Sequence, residues 1–520
     1  MTQLTTGMHP MPAAARLCLA CATFAVLGNA TAADTARVIV SFKPGSAASA
    51  KAALAAARAA VKLDLGRLDA IAVEVPTAAL PALRRNPLFS YVEEDVKRYP
   101  FSLSAPSKKP YLAGQQVPYG IALVQADQLP DTNAANRKVC IIDSGYERAH
   151  EDLAGNPADG LYDRGTGWWY TDENQHGTHV AGTIAAIDNN GTGVVGVTAN
   201  SRLKLHIVKV FGADGWAYSS SLAKAANQCA DHGANVISMS LGGGRPSATE
   251  IRAFDALARQ GVLSIAAAGN DGNTAISYPA GYSSVLMVGA LDEHKAWAPF
   301  SQYNSKVELS GPGVAVLSTV PMQTGLASEL TVAARSYAPG SMSGSPKASA
   351  SAPLANFGIG DAPNPAMAGK VCLIARGTVD FATKVLNCQN SGGVGAVVYN
   401  NVAGGFGGTL GETATRIPSV TASDSEGAEL LRQLGQSALV TVKPTNYSYF
   451  DGTSMSTPHV SAVAALVWSY FPSCSGNQIR ASLTKSALDL GAPGRDDKFG
   501  YGLVQAKAAH DRIASKGCGN

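Results

Sequence analysis

Charge is scarce in this sequence. Asp, Glu, Lys and Arg make up 15% of its 520 residues, 41 basic against 38 acidic, for a net +3. So small a charge over this length leaves no footprint for nucleic acid, and no nucleic-acid partner is expected. Disorder is excluded as well, because it needs high charge and few apolar residues, and 46% are apolar here. Beyond the N-terminus no 18 apolar residues follow without interruption, so no membrane span is expected. A C-x-x-C pair is also missing, which makes zinc a poor reading. Glycine, by contrast, is plentiful at 54 residues, as suits tight turns and close packing. A chain this long is expected to hold two or more domains.

Arg16 precedes an apolar run, residues 17–27, that is too short to span a bilayer, and Ala30-Thr31-Ala32 follows as a cleavage signal. Residues 1–32 therefore read as a secretory signal, and the protein as secreted and extracellular. Cys18 and Cys21 leave with that segment. Six cysteines remain, an even number that favours disulfides in an exported chain. They allow fifteen connectivities. Local placement favours Cys372–Cys388 and Cys474–Cys518, which leaves Cys140–Cys229.

Residues 36–99 read as a small α+β unit, with strands at 37–42 and 70–75, Ala-rich helices at 47–61 and 78–85, and an extended stretch at 91–95. A Pro/Ser-rich linker follows at 100–112. From about 113, short apolar strands alternate with helical stretches, the signature of a parallel sheet with helices on both faces. The strand runs are apolar throughout, as burial on two sides requires. Residues 322–445 are Gly/Ala/Ser-rich and carry their own cysteine pair, and the helical pattern resumes at 454. They read as a domain inserted in a loop of the sheet domain. The expected division is 1–32, 33–112, 113–321 with 446–520, and 322–445.

Four short motifs carry chemistry. In V-C-I-I-D-S-G, Asp143 ends an apolar strand, where α/β sheets open their ligand crevice. Alone, it reads first as a turn former. In H-G-T-H-V-A-G, His176 opens a helix and can act as a general base. His176 and His179 could instead be metal ligands, though the Glu usual between helical zinc histidines is missing. In G-T-S-M-S-T-P-H-V, Ser454 stands at a helix N-terminus, as a cap or as a nucleophile. In A-A-A-G-N, Asn270 ends a strand, as an Asx-turn or an oxyanion donor.

The order Asp, His, Ser with these neighbours resembles the subtilisin-like (subtilase) serine proteases, as does S-M-S-L-G-G-G at 238–244. The likeness spans nearly all of 113–321 and 446–520. It implies a subtilisin-like α/β fold, with Asp143, His176 and Ser454 as catalytic triad and Asn270 in the oxyanion hole. His179 then reverts to a structural role. The resemblance also implies a substrate pocket walled by Ser240, Leu241, Gly242 and Gly243 and by Ala267, Ala268 and Gly269, with Ser277 at its far end. No acids cluster there, which predicts broad cleavage favouring large apolar residues at P1.

No cofactor is implied for catalysis, but a structural Ca²⁺ site is, at Gln115, Asp152, Ile187 and Asn189. Its loop, 187–194, is one residue longer than in the family's best-known form. Residues 36–99, down to Tyr91-Val92-Glu93-Glu94-Asp95, resemble the family's propeptide, an inhibitor and intramolecular chaperone cut off between about 99 and 114. Residues 322–445 resemble a protease-associated domain, β-rich, through Cys372 to Gly377, Cys388, the glycine-rich run at 392–400 and Ile417-Pro418-Ser419-Val420. The expectation is a secreted endopeptidase made as a self-processing zymogen, acting on proteins and peptides. A catalytically dead peptide binder and a metal hydrolase are its rivals.

Overall fold

The structure is a computed structural model that describes residues 34–101, 103–104, 111, 113–411 and 413–520. The expected signal segment and most of the linker lie outside the described residues.

Seven parallel strands form the central sheet. Their order is Val307–Pro312, Val285–Leu291, Leu263–Ala267, Val236–Met239, Lys138–Asp143, Lys204–Lys209, Ala158–Gly160. Side chains alternate across a strand. Val139 and Ile141 therefore enter one core, with the helices His176–Ala185 and Thr453–Tyr470. Cys140 and Ile142 enter the opposite core, with Ser219–Asp231 and Ala248–Arg259. The chain leaves Lys138–Asp143 toward one edge and later returns to build the other side. Asp143 therefore sits at the point where strand order reverses, the usual crevice of such sheets.

Thr453–Tyr470 is buried from Thr453 to Ser469, as its small and apolar sequence on every face requires. Pro458 lies inside it and has no N–H to give the Ser454 carbonyl four residues earlier. The Ser240 hydroxyl donates to that carbonyl instead, at 2.8 Å. Among the described residues three disulfides form: Cys140–Cys229, Cys372–Cys388 and Cys474–Cys518.

The N-terminal unit is a four-stranded antiparallel sheet in the order Ala60–Leu65, Ala70–Pro76, Thr35–Phe42, Phe89–Glu94. The helix expected over 47–61 stops at Ala56, and Ala60–Leu65 is a strand. Arg58 turns the chain there with φ of 56°, and the alternation of Val61, Leu63 and Leu65 suits a strand better than a helix. The unit's face, including Ile39, Leu65 and Ala72, packs on Ala223 and Ala253 of the two outer helices.

Residues between Gly325 and Thr445 form a separate nine-stranded sheet with the helices Phe381–Asn390 and Asp424–Leu430. This insertion leaves and rejoins the sheet domain through Val316–Thr319 and Tyr447–Asp451, which pair antiparallel.

Candidate active site

Asp143, His176 and Ser454 meet at the C-terminal end of the parallel sheet, and all three are buried. The strand end brings Asp143, and two helix N-termini bring the other two. His176 Nδ1 lies 2.7 Å from Asp143 Oδ1. His176 Nε2, buried, has no hydrogen-bond partner. Ser454 Oγ instead donates to the Ser240 carbonyl at 2.8 Å. With Ser240 Oγ bonded to the Ser454 carbonyl, the two serines hold each other reciprocally.

Asn270 has a fixed orientation. Its Oδ1 accepts from Thr453 N at 3.0 Å and from Thr453 Oγ1 at 2.9 Å. Its Nδ2, on the other side of the amide, is buried without a partner. A buried unpaired donor is costly, and it suits an anion that arrives only during reaction. Thr453 Oγ1 also accepts from Gly269 N, which ties the amide's anchor to the pocket wall.

The pocket opens where two neighbouring strands stop pairing. One continues as Ser240, Leu241, Gly242 and Gly243, the other as Ala267, Ala268 and Gly269. Gly269 has φ of 110°, and a Cβ there would stand 1.7 Å from Gln302 Oε1, so only glycine fits. Ser277 Oγ donates to the same Gln302 oxygen at 3.3 Å. Tyr278 and Gly243 exchange both backbone hydrogen bonds and close the side.

The N-terminal unit's tail fills this cleft. Lys97–Pro100 pairs antiparallel with Leu241–Gly242 on one side and with Ala217–Tyr218 on the other. Phe101 N–H then points at Ser454 Oγ, 3.0 Å away, and at the Ser240 carbonyl, 3.2 Å away. A Cβ on Gly242 would come 2.6 Å from the Phe101 ring, so the ring lies flush on the glycine. Beyond it, Leu103–Ser104 pairs with Phe450 and Asp451.

His179 lies apart from this chemistry. Its Nε2 donates to the Val316 and Ser448 carbonyls, its ring stacks on Phe450, and burial pulls its pKa down to about 3.

Gln115, Asp152 and Ile187 converge in the loop proposed for a cation. Gln115 Nε2 lies 3.0 Å from the Ile187 carbonyl. The donors to Asp152 are neutral, among them Asn190 Nδ2 and Val194 N–H. Burial raises its carboxyl to about 6. Asn189 contributes its backbone N–H to Gln115, and the side chain that reaches Asp152 is that of Asn190. A buried carboxylate with two side-chain amides and a backbone carbonyl nearby offers the oxygen-bearing groups that a hard cation such as Ca²⁺ takes.

Three residues of the site were not singled out from sequence. Thr453 sits inside a quoted motif but reads as a helix start. Gln302 stands in no motif, and Phe101 falls in a segment whose composition reads as linker.

A model described as the subtilase family matches residues 134–357 and 395–502, and one described as the PA domain matches 337–430. The chain is 37% identical over 268 residues to an alkaline protease of Alkalihalobacillus alcalophilus, covering 49% of this chain and 63% of that protein. It therefore spans just under two thirds of that relative's length. It is 42% identical over 216 residues to subtilisin DY of Bacillus licheniformis, covering 40% of this chain and 77% of that protein. A crystal structure of a psychrophilic subtilisin-like protease from the Antarctic psychrotroph Pseudoalteromonas sp. AS-11 superposes with a TM-score of 0.62 at 42% identity, over 78% of this chain and 100% of that one. Fervidolysin from Fervidobacterium pennivorans, at 23% identity and a TM-score of 0.60, shares the fold over 92% of this chain and 61% of that one.

Thr453→Val removes one of the two bonds that orient Asn270 and keeps the side-chain volume. The same change takes the acceptor from Gly269 N, and kcat on any peptide the cleft cleaves should fall at least about fivefold, the worth of one hydrogen bond of ~1 kcal/mol, by more than any change in KM. Steady-state kinetics on the mature enzyme checks this; a changed KM with unaltered kcat would remove Thr453 from the oxyanion site.

Proposed function

The chain belongs to the subtilase family, and we propose that it is a secreted serine endopeptidase, made as a zymogen that cuts itself between Phe101 and Ser102. The observation that carries this reading is the tail lying in the cleft as a substrate would. Its backbone is an added strand, and Phe101 is the residue whose amide meets Ser454. That register makes Phe101 the P1 residue and supports a preference for large apolar side chains there. The secretory part of the reading rests on residues 1–32.

The chemistry follows from the groups present. Ser454 leaves the Ser240 carbonyl by rotating about its Cα–Cβ bond and turns Oγ to His176 Nε2, which lacks any other partner. His176 takes the hydroxyl proton as Oγ attacks the carbonyl carbon of the P1 residue. Asp143 holds Nδ1 and stabilises the imidazolium. The new oxyanion accepts from Asn270 Nδ2 and the Ser454 backbone N–H. His176 then passes its proton to the leaving amine, and water releases the acyl group by the same steps reversed.

The docked unit serves as inhibitor and folding template. The PA domain contributes Ser341 and Ser343 to a cleft shared with Gln175, the neighbour of His176, and Phe450. That position supports a role in admitting large substrates on the leaving-group side. Gln115, Asp152, the Ile187 carbonyl and Asn190 would hold Ca²⁺, which supplies the charge that the buried Asp152 lacks.

Expressing Ser454→Ala beside wild type tests the central reading. The variant should accumulate as uncut chain and hydrolyse nothing, while wild type matures and is stopped by a serine-directed reagent. A variant that matures unaided would overturn it, as would a wild type stopped only by chelators.

Calcium has a pH signature. A carboxyl raised in the fold keeps its proton more tightly than in the unfolded chain, so metal-free stability falls as pH climbs from the ordinary carboxylate range through about 6. A cation beside the ionised group reverses that loss. The gain in Tm from Ca²⁺ over EDTA, measured on the mature protein, should be small near pH ~5 and reach its full size above pH ~7. A gain that does not vary with pH would place the ion elsewhere.

A further inference from the structure

Three residues before Phe101, the tail places a charge where the cleft is closed. Arg98 is 1% exposed and Glu250 is fully buried. Arg98 Nε donates to Glu250 Oε1 at 3.0 Å, and Nη2 donates to Oε2 at 2.7 Å, a bidentate fork. Nη2 also reaches the Arg245 carbonyl, and Nη1 the Lys97 carbonyl. Four donor contacts are thus made in a site that excludes water.

Glu250 belongs to the sheet domain and Arg98 to the segment that is cut away. Glu250 sits in the first turn of Ala248–Arg259, and its Oε2 accepts also from the Tyr282 hydroxyl at 2.8 Å. Tyr282 in turn accepts from Ser247 N–H. The carboxylate is therefore held in place by its own domain, whatever the tail does. Gly243 keeps the passage open, since a Cβ there would stand 3.2 Å from Arg98 Nη1 and 2.7 Å from the Lys97 carbonyl.

We propose that Glu250 makes the mature cleft selective for arginine at P4, the fourth residue before the cleaved bond. This rests on the protease reading above, and on the tail being seated as substrates are. Once Arg98 has gone, the buried carboxylate keeps only neutral donors, and an apolar P4 residue would seal it in without a counter-charge. Arginine restores the fork. Lysine, a point charge with no fork, satisfies the two oxygens less well. The side chain of Arg245, now paired with Glu94 of the N-terminal unit, is a rival close by that could neutralise Glu250 after cleavage.

The test uses mature wild-type enzyme and internally quenched peptides of sequence Lys-Xaa-Tyr-Pro-Phe-Ser-Leu-Ser, with Xaa as arginine, lysine, citrulline or leucine. Citrulline keeps the shape of arginine and removes its charge. The expected order of kcat/KM is arginine, lysine, then citrulline and leucine together, with at least ~10-fold between arginine and citrulline. In Glu250→Gln that ratio should fall to near one. Equal rates for arginine and citrulline in wild type would overturn the P4 assignment and leave the protease reading intact. An arginine preference that survives in Glu250→Gln would overturn the role of Glu250. Cleavage of none of the peptides, nor of denatured casein, would overturn the protease reading itself. Should Glu250→Gln fail to mature, the wild-type series alone decides the preference.

Discussion

The molecule is organised by two carboxylates two residues apart. Glu93 and Asp95 lie on one strand end of the N-terminal unit, and side chains at that spacing face the same way. Each closes the N-terminus of a helix in the sheet domain. Glu93 accepts from Ala248 N, Thr249 N and the hydroxyls of Ser247 and Thr249. Asp95 accepts from Ser220 N and the hydroxyls of Ser219 and Ser220. Helix N-termini have unpaired N–H groups and a positive dipole end, so both contacts are favoured electrostatically. Because the two helices are neighbours, the caps fix the unit's position and its direction together. The chain that leaves Asp95 has one course open to it, between Ala217–Tyr218 and Leu241–Gly242.

That course explains the state of the site. With a strand in the cleft, His176, Asp143 and Ser454 are buried and Phe101 N–H lies against Ser454 Oγ. The hydroxyl answers by donating to Ser240 rather than to His176. Pro458 contributes from inside the helix, because its missing N–H leaves the Ser454 carbonyl for Ser240 Oγ. A proline that costs a helix one hydrogen bond here couples the Ser454 backbone to Ser240, at the start of the strand that the tail pairs with.

Much of this was legible in the sequence because the chemistry sits in local words. Asp143, His176 and Ser454 each stand at the end or start of an element, Asn270 follows a strand that stops at Ala267, and such termini leave a mark in composition. Elements of the sheet domain were readable for the same reason: apolar runs and 3.6-residue periodicity are local. What sequence hid depends on contacts between distant segments. Gln302 matters only because Gly269, 33 residues earlier, lies against it. Glu250 reads as an ordinary first-turn acid until Arg98 reaches it across 152 positions. The helix expected over 47–61 failed where Ala-rich composition met a left-handed turn at Arg58. That Asn190 rather than Asn189 reaches Asp152 is likewise a contact between distant segments, 38 positions apart.

The central claim is that the tail lies in the cleft in the register of a substrate, with Phe101 before the bond to be cut. The most direct measurement is the intact mass of the first N-terminal fragment released as wild-type chain matures. A fragment whose last residue is Phe101 is the predicted result. A first fragment ending anywhere else, or maturation that leaves the bond between Phe101 and Ser102 whole, would contradict the account.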